Sequence, residues 1–205
     1  MDSTSPSTPT QEEQVFDLHV ARERAFTNYV GMLFFLLSWA MMFAALFYAY
    51  ASLRTGSTQW PPDGLPELPV LLPGLSTLVL LASSVAMQMT KSALKKDNPQ
   101  QSFRWLIGAC VLGTVFLVMQ GILWVSLYNQ GLHWTSKAFG AVFYGFTIFH
   151  ALHVLVGLGL LGRLVPRHRA GEFTGRRHLP IHLVAMYWNF VDVVWVAMYL
   201  SIFVL

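Results

Sequence analysis

Five long runs of the sequence lack Asp, Glu, Lys and Arg, apart from one aspartate, and they constrain the fold more than any other feature. The runs cover about residues 29–53, 70–90, 105–127, 138–162 and 179–205. A helix that rises 1.5 Å per residue needs about 20 residues to cross a hydrocarbon core of roughly 30 Å, and every run is long enough. The sequence therefore predicts an all-α fold, a polytopic membrane bundle of five transmembrane helices.

The composition agrees with a chain that is mostly covered by lipid. Hydrophobic residues make up 55% of the chain and charged residues 11%. Soluble domains carry about 25% charged residues, because their surface faces water. The single cysteine, Cys110, lies inside an apolar run. An internal disulfide and a cysteine-based metal cluster are therefore excluded.

The charged residues between the runs predict the orientation of the chain. Of its 13 Lys and Arg residues, 11 precede the first run, lie between the second and third, or follow the fourth; Arg54 and Lys137 lie on the other side. Basic loops stay in the cytoplasm, so the N-terminus is predicted to be cytoplasmic and the C-terminus to lie outside. Since this distribution accounts for the net charge of +3, we expect no nucleic-acid partner.

The region before the first run has a different composition and is assigned to a separate segment. Residues 1–27 are rich in Ser, Thr, Pro, Gln and Glu and are expected to be disordered or to lie along the membrane surface. Residues 28–205 form the five-helix transmembrane domain.

Asp192 is the residue of the chain that costs the most free energy to place in a membrane, because it lies near the middle of an otherwise apolar run. A carboxylate at that depth costs a few kcal/mol or more, so it must face protein. At 100° per residue, Asp192, Asn189 and His182 fall within an arc of about 80°. An interhelical hydrogen bond is the favoured interpretation, and a proton relay is the alternative.

The fourth run carries Thr147, His150 and His153 at spacings of three. Membrane histidines that bind haem or metal are arranged in this way, but such a site needs further ligands at the same depth. The chain offers only Cys110 and His182. We therefore expect no cofactor, metal or catalytic apparatus in this chain, and we expect a structural polar seam between the fourth and fifth helices, formed by Thr147, His150, His153, Asn189 and Asp192.

Two motifs carry a resemblance to a known family. The segment Tyr187-Trp188-Asn189-Phe190-Val191-Asp192-Val193-Val194-Trp195 resembles the last helix of subunit III of haem-copper oxidases, the cytochrome c oxidase subunit III family, which usually reads Tyr-Trp-His-Phe-Val-Asp-Val-Val-Trp. The fourth run adds Phe143-Tyr144 and Phe149-His150-Ala151-Leu152-His153-Val154, similar to the family's preceding helix. The resemblance extends from Gly31 to the C-terminus and matches the short, five-helix bacterial form.

Four positions depart from the family's usual pattern. Trp39 and Leu123 stand where acids are usual, His182 replaces a glutamate, and Asn189 replaces a histidine. The loss of these membrane carboxylates argues against a proton path through this chain.

The resemblance implies a subunit without redox centres, with the haems and copper held by catalytic subunit I of a complex that reduces oxygen and pumps protons. It also implies other oxidase subunits, bound phospholipids and the inner (plasma) membrane of a bacterium. Arg54 is a candidate for contact with a lipid headgroup. Three alternatives are subunit III of a quinol oxidase or the accessory protein of a nitric-oxide reductase, an independent haem-binding membrane cytochrome, and a small transporter.

Overall fold

The chain is all-α in the computed structural model, which describes residues 11–57, 68–173 and 178–204. The helices are α1 (Gln11–Thr55), α2 (Leu71–Lys95), α3 (Pro99–Asn129), α4 (Lys137–Arg169) and α5 (Leu179–Tyr199), and α5 continues as a π-helical end, Leu200–Val204. These described residues include no β-strand.

Each of the five helices is long and apolar enough to cross a membrane. The prediction of an all-α bundle with five membrane-spanning helices is therefore confirmed. Several helices are longer than the uncharged runs that predicted them: α3 begins at Pro99 and α4 ends at Arg169. The difference has a physical reason, because a helix can continue into water with its backbone hydrogen bonds intact, whereas an uncharged run ends at the first charge.

The first helix extends far ahead of its apolar run. Residues 11–27 are helical and continuous with the rest of α1, and residues 1–10 lie outside the described part of the chain. The position of this segment relative to a membrane surface stays a prediction.

The turn between α2 and α3 makes these two helices antiparallel neighbours, and they form the most extensive helix pair of the bundle. Asp97 adopts a positive φ of 51°, a conformation that Asp tolerates better than most residues. The side chain of Asn98 then accepts a hydrogen bond of 3.1 Å from the backbone N–H of Gln101, and Pro99 takes the first position of α3. Both features favour a helix start.

Helix α5 lies at the centre of the bundle, because it packs against α1, α2 and α4. Half of its span is buried within the chain, compared with 11% of the span of α1. Its side chains Tyr187, Trp188 and Trp195 are among the largest that are fully buried. Helix α1 is therefore a peripheral helix, with most of its apolar surface facing outward.

Candidate functional site

Two tryptophans of α5 attach this helix to α2 through hydrogen bonds between side chains. The indole Nε1 of Trp188 donates to Oγ of Ser83 (3.1 Å), and that of Trp195 donates to Oγ1 of Thr77 (2.9 Å). The Ser83 hydroxyl in turn donates to the carbonyl of Ala109 on α3 (2.9 Å). A buried indole N–H needs an acceptor, and small hydroxyl side chains supply it while letting the helices approach closely.

Tyr187 connects α5 to α4. Its hydroxyl donates a hydrogen bond of 3.0 Å to the backbone carbonyl of His153, and both residues are buried. All three residues singled out by the family motif, Tyr187, Trp188 and Trp195, thus bond to neighbouring helices.

His150 lies in an aromatic environment at the centre of the bundle. Its side chain is 1% exposed, and its ring centroid lies 5.0 Å from that of Trp195, 6.0 Å from Phe116 and 6.4 Å from Phe43. Neither ring nitrogen has a hydrogen-bond partner in the described part of the chain. A haem could reach this imidazole only if the surrounding rings moved.

His153 lies on the side of α4 that faces α1. Its Nδ1 is 2.5 Å from the carbonyl of Phe149, one turn earlier in the same helix. The ring of Trp39 stands edge-on to the imidazole with the centroids 3.9 Å apart, and Phe43 lies 5.1 Å away. Nowhere in the described residues do three or more His, Cys, Asp or Glu side chains come together as a metal site.

Thr147 serves a contact between α3 and α4. Its hydroxyl accepts a hydrogen bond of 3.0 Å from the indole of Trp124 and donates to the carbonyl of Phe143 at 2.9 Å. This residue is fully buried.

Asp192 faces α2, where it accepts a hydrogen bond from the hydroxyl of Ser84. Asn189 lies one turn away on the same side of α5, and both residues line a groove between α2 and α5. Across the residues described, no hydrogen bond joins either of them to Thr147, His150 or His153. The five expected members of the polar seam thus face different neighbours: Asp192 faces α2, Thr147 contacts α3 and His153 faces α1. Their structural role stays a prediction.

Arg54 lies in the last turn of α1 and contacts the π-helical segment that follows α5. Its Nη1 donates to the carbonyl of Ser201 at 3.3 Å, and the hydroxyl of Tyr50 donates to the same carbonyl at 2.7 Å. The two side chains hold α1 against the π-helical end of α5. A contact between Arg54 and a lipid headgroup stays a prediction.

The remaining departures from the family pattern occupy ordinary packing positions. Leu123 is 1% exposed inside the bundle. The ring of His182 is stacked near that of Tyr29, with the centroids 6.4 Å apart. Together with Trp39, these side chains fill their sites through apolar and aromatic contacts.

Sequence reasoning missed a buried polar contact at the end of α4. His168 is 7% exposed, and its Nε2 lies 3.0 Å from the hydroxyl of Ser102, which donates to the carbonyl of Thr90 at 3.0 Å. The contact connects α2, α3 and α4. In the sequence, His168 stands between two arginines, and this charged stretch resembles a solvated loop.

Most of the chain resembles one family of known proteins. A family model described as cytochrome c oxidase subunit III matches residues 12–205. A cytochrome c oxidase subunit 3 of Thermostichus vulcanus is 34% identical over 186 residues, which cover 90% of each chain. A probable cytochrome c oxidase subunit 3 of Nocardia farcinica is 35% identical over 175 residues, 85% of this chain and 86% of the relative. The subunit 3 of Locusta migratoria is 32% identical over 179 residues, 84% of this chain and 67% of the relative.

Proposed function

Because this chain belongs to the cytochrome c oxidase subunit III family, we propose that it is the non-catalytic subunit III of a respiratory haem-copper oxidase. In this role it packs against catalytic subunit I, stabilises it and its region of proton uptake, and binds phospholipids. The haems and copper belong to the partner, and the complex reduces oxygen to water and pumps protons.

One observation carries the proposal. The family match spans residues 12–205, and the residues that define the family motif, Tyr187, Trp188 and Trp195, form the buried contacts of the central helix. The motif residues therefore serve the packing of the bundle. A chain built in this way supports a partner that performs the chemistry.

The distribution of carboxylates supports a role without proton transfer. Asp192 is the one acidic residue within the five apolar runs, and it accepts a hydrogen bond from Ser84. Trp39, Leu123 and His182 occupy positions where the family usually has acids. A proton relay needs several exchangeable groups in sequence across the membrane, and one carboxylate does not supply them.

We place the N-terminus in the cytoplasm and the complex in the plasma membrane of a bacterium. The placement of 11 of the 13 basic residues supports this orientation. The bacterial relative from Thermostichus vulcanus, which this chain covers to 90% of its length, supports the short form. Exposed apolar side chains such as Phe34, Met41 and Val118 suit contact with acyl chains.

Affinity purification tests the proposal directly. The chain is tagged, extracted in a gentle detergent from its native membrane, and examined by optical spectroscopy and mass spectrometry of the subunits that co-purify. We expect a haem-containing catalytic subunit in the preparation and a Soret band. The same chain expressed without partners is expected to lack the Soret band.

Two results would contradict the proposal. Stoichiometric haem in the isolated chain would favour an independent cytochrome, in which His150 or His153 is a ligand. A native preparation in which no oxidase subunit accompanies the tagged chain would remove the basis for a supporting role.

A further inference from the structure

A groove with polar side chains opens on the outside of the bundle between α2 and α5. It holds a volume of about 430 Å³. We call it the polar groove after its four polar side chains, Ser84, Gln88, Asn189 and Asp192, although most of its lining surface is apolar. Its rim faces outward, since Val85 is 55% and Val193 is 68% exposed.

The polar side chains of the groove have unused hydrogen-bonding capacity. In the part of the chain that the structure describes, the side-chain amides of Gln88 and Asn189 make no hydrogen bond. Asp192 is 4% exposed, and its Oδ1 is buried without a partner, while Oδ2 accepts from Ser84. Two primary amides therefore line the groove without a hydrogen bond, and one carboxyl oxygen of Asp192 is buried beside it without a partner.

Asn189 and Asp192 lie deep in the membrane-spanning part of the chain. At 1.5 Å per residue from the centre of the span Leu179–Val204, Asp192 lies about 1 Å and Asn189 about 4 Å from the middle. A hydrocarbon core extends about 15 Å to either side of its middle. Phospholipid headgroups are therefore out of reach of Asn189 and Asp192, whereas Gln88 lies nearer the end of the second run, one helical turn before Lys91.

Acyl chains offer no hydrogen bonds, and polar groups left against them cost free energy. An occupant that meets these groups must carry polar atoms at the same depth, which a transmembrane helix does when a Ser, Thr, Asn or Gln side chain projects from it. The apolar rim of Leu81, Val85 and Val193 provides the surface on which the rest of such a helix packs.

We propose that the polar groove is the docking site for a transmembrane helix of a partner subunit, which presents a hydrogen-bonding side chain to Gln88 and Asn189. The inference rests on the proposed function, because it assumes an assembly. It adds to that function the surface through which the partner binds and the chemistry of the partner residue.

Site-specific photo-crosslinking tests the location of the partner. A photoreactive amino acid replaces Val193 at the groove rim in the tagged full-length chain, and the matched control replaces Val118, which is 58% exposed on α3. Irradiation in the native membrane is expected to join the chain to a partner subunit from position 193 and to yield lipid adducts from position 118. Lipid adducts from both positions, with the catalytic subunit still co-purifying, would overturn the groove proposal and leave the proposed function intact.

A pair of variants tests the chemistry. In Gln88→Leu/Asn189→Leu the amides are removed, while the contact between Ser84 and Asp192 is kept; Thr114→Val is the control, since its hydroxyl bonds to its own helix at the carbonyl of Cys110. Each interhelical hydrogen bond contributes modestly, and the double variant loses two of them. We therefore expect the amount of partner that it retains during detergent washing to be roughly tenfold lower than for the unsubstituted chain. The control is expected to retain it fully.

The outcomes separate the two proposals. Equal retention of the partner by the double variant and the control would refute the role of the amides in docking. If the unsubstituted tagged chain retains no oxidase subunit, the proposed function fails and the groove proposal fails with it.

Discussion

The indole of Trp188 lies directly against Gly157, so close that a Cβ at position 157 would come within 2.8 Å of the ring carbons Cε3 and Cζ3. The same indole covers Gly113 of α3 from its other end, where an added Cβ would also lie 2.8 Å away. The absence of side chains at these two positions lets a large aromatic residue of α5 fill the space between α3 and α4.

Gly157→Ala is expected to destabilise the bundle. The added methyl group forces the fully buried Trp188 or the helix itself to move, and overpacking of this kind costs about 1–3 kcal/mol. The control is Gly159→Ala, because nothing lies within 4 Å of a Cβ at that position. Thermal unfolding in detergent should show a lower midpoint for Gly157→Ala and an unchanged or slightly higher one for Gly159→Ala. Equal midpoints would contradict the close packing.

The hydrogen bond between Trp195 and Thr77 should be measurable as a coupling between α5 and α2. In a double-mutant cycle with Trp195→Phe and Thr77→Val, each single substitution removes the bond, and the double variant tests the interaction between the two sites. Couplings of this kind inside membranes average about 0.6 kcal/mol and reach about 1.7 kcal/mol. Additive effects of the two substitutions on the free energy of unfolding would argue against the bond.

Asp192→Asn is expected to weaken assembly with the catalytic subunit without abolishing oxygen reduction in the complexes that form. Asparagine can still accept the hydrogen bond from Ser84, but it replaces one carboxyl oxygen with an amide donor at the polar groove. The measurements are the amount of catalytic subunit per tagged chain and the turnover per haem. Complete loss of turnover in an intact complex would instead indicate a direct role in proton transfer.

His150→Leu is expected to leave the haem content of the purified complex unchanged. The imidazole is surrounded by the rings of Phe43, Phe116 and Trp195, and leucine preserves an apolar contact of comparable size. The ratio of haem to protein in the complex is the measurement, with His153→Leu as a second variant. Loss of one haem per complex in either variant would show that the chain holds a cofactor.

Cysteine labelling tests the orientation of the chain. In a Cys110→Ser background, Ser57→Cys after α1 and Gln100→Cys at the start of α3 place single thiols at exposed positions on opposite sides of the predicted topology. A reagent that does not cross the membrane should label position 57 in intact cells and position 100 only after lysis. The reverse pattern would invert the orientation.

Sequence alone was enough to predict the five spans. Long uncharged runs can be buried in hydrocarbon, whereas the charged segments between them cannot, because each buried charge costs free energy. The sequence also indicated that Asp192 faces protein, and the structure places its side chain against Ser84. It did not indicate which neighbour would receive each polar group. Asp192 and His150 were expected to share one seam, but in the described residues no hydrogen bond joins them: Asp192 accepts from Ser84, and His150 packs against the ring of Trp195.

The number of helices, the apolar spans and the family motif were thus determined by the sequence itself, since they depend on local composition and on the thickness of a bilayer. The tertiary structure alone decided that Trp39 would cover His153, that Arg54 would contact the carbonyl of Ser201 and that a polar groove would remain open beside Asp192. These contacts depend on the rotation and depth of each helix relative to the others. The rotation and the depth of a helix are set by packing between residues far apart in the chain. A periodic pattern within one helix does not determine them.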